Sequence, residues 1–254
     1  MASLTNYPFP SYECNVPAAA VVSSLIGISL IGWIVQSVQA RFKPRRPMIL
    51  ILIAHLTIFI ELVLRAALTT ETRNTRAAFT AMSVLVTVGQ RTIILANYDY
   101  LTQVLEDKSK TSRAIIIGSM LGAITSSILM APAGTASYNP ETIERSFRLR
   151  QASTAIILIM TIVFYPVWFF TKTWKLMTKL AIILLFISSI CTLIVAFYVL
   201  ITSVPANYLS VSRNEYWYYI FQFTPAAIAL FTWTILHPKR SLSGTATATT
   251  TTTA

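Results

Sequence analysis

The apolar residues of this chain fall into long runs separated by short polar segments. The runs lie at 18–39, 47–68, 78–101, 114–133, 151–171, 180–201 and 215–237. Crossing a bilayer core of about 30 Å takes roughly 20 apolar residues at 1.5 Å each, and every run meets that length. The pattern therefore predicts an all-α polytopic membrane protein, a seven-transmembrane-helix bundle over residues 1–240. The segment before the first run is polar, and Glu13 is its one charge. It lacks the basic stretch of a secretory signal, so the first run reads as a span. The longest connection, 134–150, is too short for a soluble domain. Residues 241–254 are almost all Ser, Thr and Ala, a composition expected to stay disordered.

Composition agrees with the pattern. Of 254 residues, 55% are hydrophobic and 11% charged, against about 25% charged in an average soluble domain. The net charge of +11 is spread over the short segments between runs, so membrane topology explains it and no nucleic-acid partner is expected. With the N-terminus outside, the inner segments hold twelve Lys and Arg and the outer ones six. The positive-inside rule then predicts an external N-terminus and a cytoplasmic C-terminus. Trp168, Trp174, Tyr198, Tyr208 and the run Tyr216-Trp217-Tyr218-Tyr219 sit near expected span ends, where such rings prefer the headgroup level. The expected location is a multi-pass protein of the plasma membrane or an endomembrane. Cys14 and Cys191 make neither a disulfide framework nor a metal quartet.

Ionisable groups inside spans are the best pointers to function in such a chain. His55, Glu61 and Arg65 lie in the second run and Arg91 in the third, with Asp99 near its inner end. Glu61 and Arg65 are about 40° apart on one helical face, the placement of an ion pair or a polar floor for a headgroup. His55 is about 120° away from Glu61 around the helix, so the two are not expected to form one dyad. Arg91 is about 20 Å deep from the outer end. It is either an interhelical donor or a receiver for a phosphate or carboxylate. Ala114, Gly118, Gly122 and Ser126 recur every four residues and predict a close-packing seam or a dimer face. Pro166 and Pro225 predict kinks. The last run contains no lysine for a retinal Schiff base, and the chain shows no Gly-rich phosphate loop, HExxH or GxSxG. No metal or cofactor is expected.

The stretch Arg213-Asn214-Glu215-Tyr216-Trp217-Tyr218-Tyr219-Ile220-Phe221, then Pro225 and His237-Pro238, resembles the fungal lipid-translocating exporter family, the RTA-like (7-aminocholesterol resistance-like) seven-span proteins. Tyr12 with Asn15, the Glu61-to-Arg65 element, and Ala96, Tyr98 and Leu101 are further points of similarity. The chain departs from the family where Gln222 replaces an acidic residue, in the uncharged stretch 196–204, and at Gly118 and Ser126–Ser127. The resemblance implies export of amphipathic lipids or toxic lipid-like compounds. Glu61, Arg65 and Arg91 would shelter the headgroup, Glu61 would carry the proton, and His55, Asp99 and Gln222 complete the candidate set. The partners are then membrane lipids or an amphipathic small molecule. The alternative is an intramembrane enzyme of isoprenoid metabolism, terpene cyclase-like, in which Glu61 or Asp99 protonates the substrate. Arg65 beside Glu61 counts against a protonated Glu61 there. A seven-span receptor is the third reading; the short inner segments offer it little surface for a signalling partner.

Overall fold

The structure is a computed structural model that describes residues 9, 15–105, 110–174, 177–211 and 214–247. All regular structure among the described residues is helical. The elements are α1 (Val16–Gln39), α2 (Arg45–Ala67), α3 (Thr70–Arg73), α4 (Arg76–Val104) and α5 (Lys110–Ala136), then a 3-10 turn at Pro140–Thr142. They continue with α6 (Ile143–Trp174), α7 (Lys179–Thr202), α8 (Pro205–Val211), α9 (Tyr216–Tyr218), a π segment (Tyr219–Phe223), α10 (Thr224–Ile235) and α11 (Pro238–Thr247). Polar residues fix where several helices start. Asn15, Thr75 and Thr178 each accept a hydrogen bond from an amide three residues on, at Ala18, Ala78 and Ala181. Such caps satisfy donors that the first turn leaves open.

Six helices, α1, α2, α4, α5, α6 and α7, are long and apolar enough to cross a membrane. They close into a ring with α10: α1 packs on α2, α2 on α4, α4 on α5, α5 on α6, α6 on α7, α7 on α10 and α10 on α1. α4 also reaches inward to α6 and α7, which explains why the two turns from Ala96 to Thr102 are buried on all sides. The surface is inverted relative to a water-soluble globule. Ile28, Ile31 and Ile128 are each 65% exposed, whereas His55, Glu61, Ser126 and Ser188 are fully buried. Apolar outside and polar inside is the arrangement a lipid solvent favours, because buried polar groups bond to each other there.

Three sequence expectations change. The last apolar run, 215–237, is not one regular helix: α9, the π segment and α10 share it. Pro225 has no N–H for Phe221, so the normal ladder fails just where the π turn occurs. The connection expected at 134–150 is mostly helical, because α6 begins at Ile143, and Asn139 caps the 3-10 turn that precedes it. The polar opening of α6 is held by an exposed Glu144–Arg148 pair at 2.6 Å. Finally, the tail expected to be disordered from 241 starts within α11, where Ser241 is buried and bonded to the Tyr100 hydroxyl at 2.6 Å. Residues 248–254 of that expectation, like Cys14, Tyr12 and Arg213, lie outside the described residues. In addition to the expected Pro166 inside α6, α5 contains Pro132.

The small-residue seam divides in two. A Cβ at Gly122 would meet Met160 Sδ of α6 at 2.6 Å, and Ser126 bonds Ser153 of α6 at 2.9 Å, while a Cβ at Gly118 meets nothing within 4 Å. Gly122 and Ser126 thus serve the α5–α6 contact inside the bundle. A second close approach, against stiff β-branched side chains, lies elsewhere: a Cβ at Gly89 of α4 would lie 2.7 Å from Ile58 Cγ1 and 2.9 Å from Thr57 Oγ1 of α2. Gly89→Ala is expected to lower stability by about 1–3 kcal/mol through overpacking, while Gly118→Ala leaves it unchanged. Thermal unfolding of the two purified variants in detergent checks both.

Candidate functional site

The site is built at the end of α2 that carries Glu61 and Arg65. Their i, i+4 spacing stacks them on one face, and the structure pairs them: Arg65 Nε and Nη2 donate to Glu61 Oε1 at 3.1 and 2.9 Å. The guanidinium has a second acid. Its Nη1 donates to Glu215 Oε1 at 2.9 Å, from the residue that leads into α9. The other oxygen of Glu215 accepts the backbone N–H of Asn15 at 2.5 Å. The Tyr218 ring stacks against the guanidinium with its centroid 4.4 Å from Cζ. One arginine therefore joins the start of α1, the end of α2 and the entry to the last helix. Glu61 is fully buried, with the Tyr218 side chain as a second hydrogen-bonding neighbour beside Arg65. The charges acting on it are the attraction of Arg65 and the opposing repulsion of Glu215.

Glu61 and Arg65 border a cavity of about 180 Å3, with Gln222, Tyr218, Arg73 and Arg150 also on its wall. Gln222 reaches it from the π segment. Two further cavities adjoin. One of about 260 Å3 lies between α4 and α5 and shares Phe79, Ser83, Met130 and Arg150 with the first. The other, about 40 Å3, shares Met130, Thr154 and Val199, and is walled by Ile94, Ile157, Val195, Ala226 and Ala229. Met130 touches all three, and Arg91 borders the second and third. The result is a branched space, polar where Glu61 sits and apolar in its narrow arm. That shape suits an amphipathic molecule.

The other predicted residues separate. Arg91 stands at mid-helix in α4 and donates to Ser126 Oγ at 2.7 Å, Ser126 O at 3.3 Å and Ser153 Oγ at 3.0 Å. His55 belongs to a packed layer at a distance from the cavities. Its Nε2 is 3.0 Å from Ser29 Oγ, which is 3.0 Å from Thr234 Oγ1, and its Nδ1 is 2.9 Å from Ile51 O. With Trp33 stacked on it, His55 is a helix-contact residue of α1, α2 and α10. Asp99 sits near the opposite end of α4, 4.0 Å from Arg46 at the start of α2. It does not join Glu61. Sequence reasoning named Glu215 only within a motif and left it out of the candidate set. Its signal was an acid set directly before four aromatic residues. Arg73 and Arg150 lie between apolar runs in the sequence, yet Arg73 is buried and both border the cavity. Among the described residues no group of three His, Cys, Asp or Glu is placed to hold a metal ion.

No family model, no curated protein and no solved structure matches the chain.

Breaking the trio leaves a buried charge without its partner, which costs about 3–5 kcal/mol. Arg65→Ala is therefore expected to lower the unfolding free energy by about that amount, because Glu61 and Glu215 both lose the guanidinium. Removing Arg148 from its exposed pair is expected to cost no more than about 0.5 kcal/mol. Denaturant titration of the two variants in one detergent separates these values.

Proposed function

We propose that this protein is an intramembrane enzyme that acts on an amphipathic isoprenoid by proton transfer from Glu61. The observation that carries this reading is the sharing of Arg65. Beside Arg65 alone, Glu61 would be a settled carboxylate. With Glu215 on the same guanidinium, Arg65 is shared between two acids, and like charges at close range do not both ionise readily. Glu61 is the fully buried member of the two, so it is assigned the proton. An acid of this kind in a mostly apolar space is what protonation of a double bond, or of an oxygen on a prenyl chain, requires.

The chemistry closes without a co-reactant. The Glu61 proton adds to the substrate, the cation is trapped by a neighbouring double bond as a ring bond forms, and the final cation loses a proton to a carboxylate or water. The product is an isomer of the substrate. The aromatic faces around the trio, Tyr218 and Phe223 against Arg65, are of a type that also stabilises cations. The apolar arm past Met130 takes the chain. We also infer seven crossings, the last made by α9, the π segment and α10 together. An external N-terminus and a cytoplasmic C-terminus then place the Glu61 cavity in the outer half of the bilayer.

Export of amphipathic lipids is the second reading. It is favoured by the Glu215-to-Phe221 motif and its likeness to the RTA-like exporters, and the same branched space would hold the cargo. The two part on chemistry. Purified protein in lipid nanodiscs, given linear polyprenyl compounds, is expected to yield isomers of unchanged mass and altered retention. Glu61→Gln is expected to reduce their formation by at least about 100-fold, the usual range for a lost general acid. Isomer formation at the wild-type rate in Glu61→Gln contradicts the proposal. So does faster transbilayer movement of a labelled long-chain base with no new product, which supports export.

A further inference from the structure

Arg91 presents a different problem from Arg65. It is buried at 8% exposure in the middle of α4. A cation at mid-membrane costs about 2.5–3.5 kcal/mol even on lenient scales, and a carboxylate normally offsets this. Here the hydrogen-bond partners are two serines and a carbonyl, supplied by Ser126 of α5 and Ser153 of α6. All of these bonds use Nε and Nη2. They leave the Nη1 edge of the guanidinium to the space it borders, where the mid-membrane cavities meet. A Cβ added at Gly134, on the wall of the α4–α5 cavity, would meet nothing within 4 Å, so that branch is open there.

We infer that Arg91 is a binding site for an anionic or carbonyl oxygen of the ligand, reached through the branch between α4 and α5. The serines hold the planar group from one side, and the remaining N–H donors face the branch. A carboxylate, phosphate or polarised carbonyl completes the set, as guanidinium geometry favours. This assignment rests on the reading of the cavities as a ligand site and narrows the ligand class. The prenyl compound carries an acidic or carbonyl group that docks at Arg91, apart from the atoms that meet Glu61. Arg91 is thus a positioning and specificity residue, and it is not the proton donor.

The test uses binding, so it is independent of turnover. Full-length protein in detergent is titrated with dodecanoate and, separately, with the neutral dodecanol, and the thermal midpoint is followed. Dodecanoate is expected to raise the midpoint more than dodecanol. Arg91→Gln removes the difference, and Arg148→Gln, at the exposed start of α6, keeps it. Retention of the difference in Arg91→Gln overturns the inference, and so does equal stabilisation by acid and alcohol in the wild type. Should Arg91→Gln not fold, the unaltered protein serves. A fatty acid bearing a diazirine next to its carboxylate is expected to label peptides holding Ser126, Met130 and Ser153. Labelling confined to peptides around Arg73 and Asn214 overturns the inference. A protein that forms isomers but shows no preference for the acid keeps its function and loses this site. One that prefers the acid but forms no isomer keeps the site and loses the function.

Discussion

The architecture turns on one guanidinium held by two acids. Arg65, Glu61 and Glu215 are nearly dry, and in such surroundings an unmatched charge is far more costly than any single apolar contact is helpful. The three cannot be buried separately. Burying them together forces the end of α2, the first residue before α1 and the entry to α9 into one place. Neighbouring Tyr218 completes the cluster by covering the guanidinium face.

The opposite half of the bundle shows the same physics used differently. His55, Ser29 and Thr234 bond in a chain; Asn97, Ser188 and Trp233 bond in another; Tyr100 bonds Ser241. Every one of these ties helices that lipid alone would not hold together, since acyl tails are as apolar as the side chains. Trp33 and Trp233, both fully buried, fill the space between them. None of these bonded residues borders the three cavities that meet at Met130.

Much of this was legible in the residues because a bilayer imposes a length. The six long helices begin within eight residues of the expected spans and end within three. The Glu61–Arg65 pair followed from spacing alone, as did the separation of His55 from Glu61. What spacing could not show is contact over long distances in sequence. Glu215 lies 150 residues from Arg65 and stands at the first position of the last apolar run. Arg150 looked like part of a loop, because polar residues carry α6 a full two turns beyond its apolar stretch. The π turn was hidden for another reason: Pro225 announced a break but not which way the backbone would adjust.

The claim at the centre is that Glu61 holds a proton because Glu215 shares its arginine. Infrared difference spectroscopy of the membrane-embedded protein at neutral pH tests it directly, comparing wild type with Glu61→Gln. The account predicts a C=O stretch from a protonated carboxyl in the wild type that vanishes in the variant. A wild-type spectrum that shows both acids ionised, with no protonated band lost on substitution, would contradict it.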